Sequence, residues 1–156
     1  MIPREQYVKL LELLPILCVD IILVNPEGQY LLIKRANEPL KDQWWVIGGR
    51  VLKGETLEEA AIRKVREETG LQVRTVMPVG YYEDVAEMSP FGESAPQHSV
   101  SVVFSASIDD GQKVILDDQS TEWKYSGSLP CNFVLKLFTQ TSNFNKRAMK
   151  PTPIER

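Results

Sequence analysis

Apolar residues recur along this chain with changing period, and each change marks an element. Arg4 to Leu14 is amphipathic with helical spacing, Tyr7, Leu10, Leu11 and Leu14 sharing one face, and Pro15 stops it. Ile16 to Val24 is an almost unbroken apolar run, the pattern of a strand buried on both faces, with Asp20 as its one interruption. Asn25-Pro26-Glu27-Gly28 is turn chemistry, so Gln29 to Arg35 returns as the second arm of a hairpin. Trp44 to Ile47 predicts a short strand. Val73 to Val85 reads as one bent strand or a strand pair, with Pro78 and Gly80 at the break. Ala86 to Pro96 is polar and long for a loop in a compact domain, which suggests a cover for an active site.

From His98 to Ile108 the alternation is clean, with Val100, Val102, Phe104, Ala106 and Ile108 on one face and mostly serines on the other. Asp109-Asp110-Gly111 turns the chain. Lys113 to Leu116 predicts another short strand, Asp117 to Glu122 a polar loop, and Trp123 to Tyr125 a closing strand. Leu129 to Gln140 predicts a further helix with Val134, Leu135 and Phe138 toward the core, and the tail from Ser142 is polar. Helices interleaved among antiparallel and mixed strands fit an α+β chain, folded as an α/β/α sandwich with a mixed sheet between helices.

Length and composition narrow the function. The 156 residues suffice for one domain with a proper core, spanning 1–156. A formal charge of -3 provides no basic field, so nucleic acid is not expected as a partner. The two cysteines, Cys18 and Cys131, stand in apolar surroundings at no metal-binding spacing, as buried free thiols of a reducing compartment do. The acidic start lacks the apolar core of a signal peptide, and no apolar run is long enough to span a bilayer. A cytoplasmic protein with no membrane partner is the expectation.

The chemistry concentrates between Gly48 and Val73, in GGRVLKGETLEEAAIRKVREETGLQV. Thr56 and Glu59 have the spacing of a capping box, and Gly70 stands where a helix-ending glycine belongs. Between them Glu67 and Glu68 fall on neighbouring rows of one turn, and Arg63 can pair with Glu67 at i,i+4. A glycine-rich loop therefore faces a helix carrying adjacent carboxylates. Carboxylate and carbonyl oxygens, with water and substrate phosphates, are the ligands Mg²⁺ prefers. Arg35, at a strand end close in sequence to the glycines, is a candidate for bidentate phosphate binding. Asp20 is open to two readings, a hydrogen-bonded structural carboxylate near a strand edge or a contact to substrate hydroxyls or to a nearby arginine. His98 reads either as a solvent-facing or packed residue at a strand end or as a substrate contact beside the expected cover.

This stretch resembles the Nudix box, in which a glycine, five residues, a glutamate and seven residues lead to Arg-Glu-aliphatic-any-Glu-Glu-any-Gly-aliphatic. Gly49, Glu55, Arg63, Val65, Glu67, Glu68, Gly70 and Leu71 match, and Ile47 replaces the usual proline before the glycines. Lys64 departs, standing where the family has its first helix glutamate. The resemblance implies a Nudix hydrolase with a Mg²⁺ site, Mn²⁺ being an acceptable substitute, built from Gly49, Glu67 and Glu68. Arg63 would orient a glutamate and Glu55 would be structural. A protonated lysine ligates no metal, so fewer ions are expected than in members with the full set.

LPILCVDIILVNPEGQYLLIKRANEP and WWVIGGRVLKGETLEEA are further similar to the GDP-mannose mannosyl hydrolases, a branch that also lacks that glutamate and attacks at sugar C1. On that resemblance Asp20, Arg35 and Arg50 meet substrate or leaving group, and Gly49, Glu68 and Gln119 ligate metal. The implied substrate is a nucleoside diphosphate sugar, and the branch is dimeric, so a homodimer is implied as well. Where the branch has Gln-His, with histidine as base, this chain has Gln119-Ser120. Asp118, Glu122 or His98 would then have to serve, or the chain is a pyrophosphohydrolase attacking phosphorus of a nucleoside diphosphate derivative, with Glu67 retained for that chemistry. A non-catalytic nucleotide-sugar binding module is a further alternative.

Overall fold

The computed structural model describes residues 3–38, 40–86 and 97–138. Its elements, in chain order, are α1 (Arg4–Leu13), β1 (Ile16–Val24), β2 (Tyr30–Arg35), β3 (Trp44–Trp45), β4 (Ile47–Arg50), α2 (Leu57–Thr69), β5 (Met77–Ala86), β6 (Gln97–Ser107), β7 (Ser120–Ser126) and α3 (131–138).

The strands form one seven-stranded mixed sheet, with β1 and β6 parallel and the other pairings antiparallel. The hairpin closes at a turn in which the Gln29 amide donates to Asn25 Oδ1 at 2.7 Å and Gly28 takes a φ of 77°. Past the turn its arms separate, since β1 and β2 pair only at Val24 and Tyr30. From there β1 runs on beside β6 and β4, while β2 pairs with β7 and β3. This fork in the sheet makes room for the site.

Burial on both faces of β1 explains its apolar run. Val19, Ile21 and Leu23 pack with Ala60, Ala61 and Val65 of α2, whereas Ile22 packs with Val103, Trp45 and Phe133 on the side of α3. The α/β/α sandwich read from the sequence is thus present. In α1, Tyr7 and Leu11 are buried against Val8 and Ile16, but Leu14 is exposed.

Several local expectations shift. Gly48, Gly49 and Arg50 are strand residues, paired with Asp20, Val19 and Cys18, and not a loop. The 113–116 segment is not a strand. Its backbone caps α2 instead, Ile115 N–H donating to the Thr69 carbonyl at 2.8 Å and Asp117 N–H to that of Glu68 at 3.4 Å. A helix end leaves such carbonyls without partners, and this segment supplies them. In α3 the core residues are Phe133 and Leu137, while Leu135 and Phe138 are exposed. Phe133 is held edge-on to Trp45 and Tyr82, with centroids 5.4 and 6.0 Å away. The bend expected at Pro78 and Gly80 is a β-bulge in β5. Beyond Ala86, the long loop expected up to Pro96 lies outside the described residues, as does the tail from Ser142. Among the described residues no helix is long and apolar enough to cross a membrane.

Candidate active site

Helix α2 presents the box residues, and its ends are fixed locally. Thr56 Oγ1 accepts from Glu59 N–H at 3.2 Å, Glu59 Oε2 accepts from Thr56 N–H at 2.7 Å, and Gly70 closes the helix with a φ of 68°. Arg63 ties the preceding loop to this helix. Its guanidinium donates to both carboxylate oxygens of Glu55, to Glu67 Oε2 at 3.0 Å and to the Arg50 carbonyl at 3.0 Å. Glu55 also accepts from Leu52 N–H at 2.6 Å. Strand β4, the loop after it and α2 are therefore one connected unit.

This unit forms one wall of a cavity of about 590 Å³, in the size range of small-molecule sites. Asp20, Arg35, Gly49, Arg50, Glu68 and Gln119 all line it. The sheet irregularity helps. Register between β2 and β7 shifts at Lys34/Arg35, pairing Arg35 with Ser120, and such bulges re-aim side chains. Ala36 N–H then donates to the Gln119 carbonyl at 2.9 Å, which holds the Gln119-Ser120 corner beside Arg35. The Gln119 amide nitrogen donates to Asp117 Oδ2 at 3.0 Å.

Two residues singled out from sequence are placed otherwise. His98 is exposed on β6, and the cavity wall is formed by its neighbours Gln97 and Ser99. Alternation along the strand turns its side chain to the other face. Glu67 is exposed and engaged with Arg63, outside the residues that line the cavity, so the two adjacent glutamates have different surroundings.

Glu68 is buried, and burial pushes its carboxyl up to about 7, against the opposing pull of Lys64. Lys64 Nζ lies 2.7 Å from Glu68 Oε1 and 3.5 Å from Glu67 Oε2. The stem of this lysine packs on Gly49, where an added Cβ would come within 2.6 Å of Lys64 Cε. Among the described residues no group of three Asp, Glu, His or Cys side chains converges as a metal site. One Mg²⁺ suits the remaining donors, namely the Glu68 carboxylate with the Gly49 carbonyl and the Gln119 amide oxygen, provided that water and phosphate oxygens complete its shell.

Asp20 is buried in the floor of the cavity. Tyr82 donates to its Oδ2 at 2.5 Å and Ser101 adds a second hydrogen bond, while burial raises its carboxyl above the ordinary range. Gly48 allows this placement, because a Cβ there would fall 2.0 Å from Asp20 Oδ1 and 2.7 Å from the Val19 carbonyl. Arg50 places its guanidinium over the Tyr7 ring, 4.1 Å from the centroid, which links α1 to the site. Ser120 Oγ is buried at the cavity wall with no hydrogen-bond partner among the described residues.

Tyr82, Ser101 and Tyr7 were not evident as site residues. Tyr82 meets Asp20 across 62 positions and Tyr7 meets Arg50 from another element, so no local spacing signals either contact.

The NUDIX domain family pattern matches residues 14–134. The chain belongs to the Nudix family. It is 31% identical to the low-salt glycan biosynthesis protein Agl8 of Haloferax volcanii, over 79% of this chain and 78% of that one. It is 37% identical to an ADP-ribose pyrophosphatase of Methanocaldococcus jannaschii, over 67% of this chain and 57% of that one. A MutT Nudix hydrolase structure from Burkholderia pseudomallei superimposes with a TM-score of 0.66 at 22% identity, covering 80% of this chain and 97% of the other. This Nudix chain is accordingly a Nudix-family hydrolase.

Proposed function

We propose that this Nudix hydrolase acts on a nucleoside diphosphate sugar of the GDP-mannose kind, releasing nucleoside diphosphate and free sugar. The observation that carries the reading is the shared wall. Arg35 and Arg50, suited to a diphosphate, stand with Glu68, suited to one divalent ion, and with buried Asp20, suited to sugar hydroxyls. The name of the Haloferax volcanii relative, which refers to glycan biosynthesis, agrees with a sugar-bearing substrate.

In this reading Arg35 and Arg50 hold the diphosphate oxygens and stabilise charge as it grows on the leaving group. Asp20, oriented by Tyr82 and Ser101, accepts from a sugar hydroxyl. Glu68, the Gly49 carbonyl and Gln119 would hold Mg²⁺ or Mn²⁺, which when bound neutralises phosphate charge. Asp117 or Asp118, in the turn before β7, takes the proton of the attacking water. The water oxygen bonds to C1 as the bond from C1 to the diphosphate oxygen breaks.

A second reading has its own support. Ser120 puts no imidazole at the cavity wall and His98 lies off it, so attack at phosphorus competes, and the Methanocaldococcus jannaschii relative is named a pyrophosphatase. Hydrolysis in ¹⁸O-labelled water decides between them. Label in the sugar supports attack at carbon, whereas label confined to phosphate overturns it in favour of the pyrophosphohydrolase.

A further inference from the structure

We propose that the Lys64 ammonium is the resident cation of this site. It holds the Glu68 carboxylate in the metal-free protein, so that a divalent ion binds well only together with a diphosphate. The inference rests on the reading of Glu68 as a metal ligand.

Lys64 and Glu68 stand one turn apart on α2, and their side chains are only 8% and 4% exposed. The ammonium approaches Glu68 Oε1 to 2.7 Å, and a Cβ on Gly49 would lie 3.3 Å from Lys64 Nζ. The cation therefore rests on the Glu68 carboxylate, with its stem against the open face of Gly49. Gly49 leaves the lysine stem just enough room to reach this position, so the ammonium is seated by packing as well as by charge. Glu67 at 3.5 Å supplies a second, more distant carboxylate.

A divalent ion entering alone has to share Glu68 with a positive charge or displace it. Displacement takes the buried ammonium off its near partner and leaves it only the more distant Glu67 carboxylate, and poorly compensated buried charge is costly. An arriving diphosphate changes this balance. Its oxygens give the ammonium a new partner and free Glu68 for the metal, and each ligand then favours the other, as reciprocal coupling requires. Lysine in place of the first helix glutamate thus makes metal binding depend on substrate as well as removing a ligand.

The test is Mn²⁺ binding to metal-free protein without nucleotide, with free Mn²⁺ read from its EPR signal. Lys64→Gln is expected to bind about tenfold more tightly than wild type or better, a gain that Lys64→Gln combined with Glu68→Gln removes. Equal affinity of wild type and Lys64→Gln, abolished by Glu68→Gln in each, overturns the inference and leaves Glu68 a ligand. Binding that is indifferent to Glu68→Gln overturns the metal reading itself, and the inference with it. A measurement on wild type serves should Lys64→Gln fail to fold. The ¹H–¹⁵N signal of the Lys64 ammonium is expected to persist when stoichiometric Mg²⁺ is added alone, and its loss at that point overturns the proposal.

Discussion

Arg63 grips Glu55 through two parallel hydrogen bonds, Nε to Oε2 at 2.9 Å and Nη2 to Oε1 at 2.6 Å. The pair joins the loop after β4 to α2 and has a consequence for pH. Hydrogen bonding from Arg63 holds the Glu55 carboxyl below its ordinary 4.5, with burial opposing and the Leu52 amide assisting. A carboxyl with a depressed value in the folded state contributes stability above 4.5, and loses it as pH falls through the folded value. Glu55→Gln is expected to be less stable at neutral pH and to show a flatter acid limb. Urea midpoints from neutral to acid pH measure both, and an unchanged acid slope would count against the pairing. Arg63→Ala breaks the contacts to Glu55, Glu67 and the Arg50 carbonyl together and should cost about 2–3 kcal/mol.

Gly48 and Gly49 are adjacent but constrained by different neighbours, so alanine should affect them differently. At Gly48 a Cβ collides with the Val19 carbonyl as well as with Asp20, and backbone cannot yield without moving β1. Overpacking of this kind costs about 1–3 kcal/mol, and Gly48→Ala belongs at the upper end. At Gly49 the obstacle is the far part of a lysine side chain. Gly49→Ala should lose less stability while displacing Lys64 from Glu68. Thermal melts of both variants test the order, and equal losses contradict it.

The parts of this fold that are written locally could be read from the sequence. The capping box of Thr56 and Glu59, the Gly70 terminus and the Arg63–Glu67 pair all lie within a few residues of each other. Where tertiary partners decide, the sequence was ambiguous. Residues 133–138 read FVLKLF, apolar around much of the helix, so periodicity cannot choose a face, and the edge-on packing of Phe133 against Trp45 and Tyr82 does. Two glycines suggest a loop by propensity, yet pairing with β1 makes them strand. The site shows the same division. That Lys64 removes a ligand is visible in the motif, but that its ammonium rests on Glu68 depends on burial and on Gly49.

Arg50 owes its position partly to Tyr7. If both Arg35 and Arg50 meet the diphosphate, alanine at either lowers turnover several-fold or more, because leaving-group charge peaks in the transition state. Tyr7→Phe retains an aromatic face under Arg50 and should leave activity near wild type. Tyr7→Leu removes that face and should lower activity in the direction of Arg50→Ala. Steady-state kinetics on a nucleotide sugar compare the variants, and an active Tyr7→Leu enzyme would free Arg50 from this dependence.

Glu68→Gln tests the metal assignment with little change in shape. The amide oxygen can still accept from Lys64, so the fold should survive, but the ligand charge is gone. Mg²⁺-dependent turnover should fall at least about tenfold, the scale at which metal-site substitutions act. Wild-type turnover in this variant, with the same Mg²⁺ requirement, would place the ion elsewhere.

On the resemblance to the mannosyl hydrolase branch Ser120 stands where a histidine would be; the residue lines the cavity, and its Oγ is buried without a partner among the described residues. Its backbone position is fixed by pairing with Arg35 across the bulge, and the Gln119 carbonyl is held by Ala36 N–H. A side chain added at Ser120 therefore starts from a defined point on the cavity wall. Serine at its ordinary pKa cannot act as a base near neutrality, whereas imidazole titrates there. Ser120→His is expected to raise mannose release from GDP-mannose by about a hundredfold, the lower range of general base catalysis. The comparison measures free mannose from wild type and variant directly, with nucleoside monophosphate followed in parallel. A gain in mannose alone means that the cavity already presents sugar C1 to position 120. No gain, alongside efficient monophosphate release by the wild-type protein, means that water is delivered to phosphorus and that Ser120 marks a departure from the sugar-attacking branch.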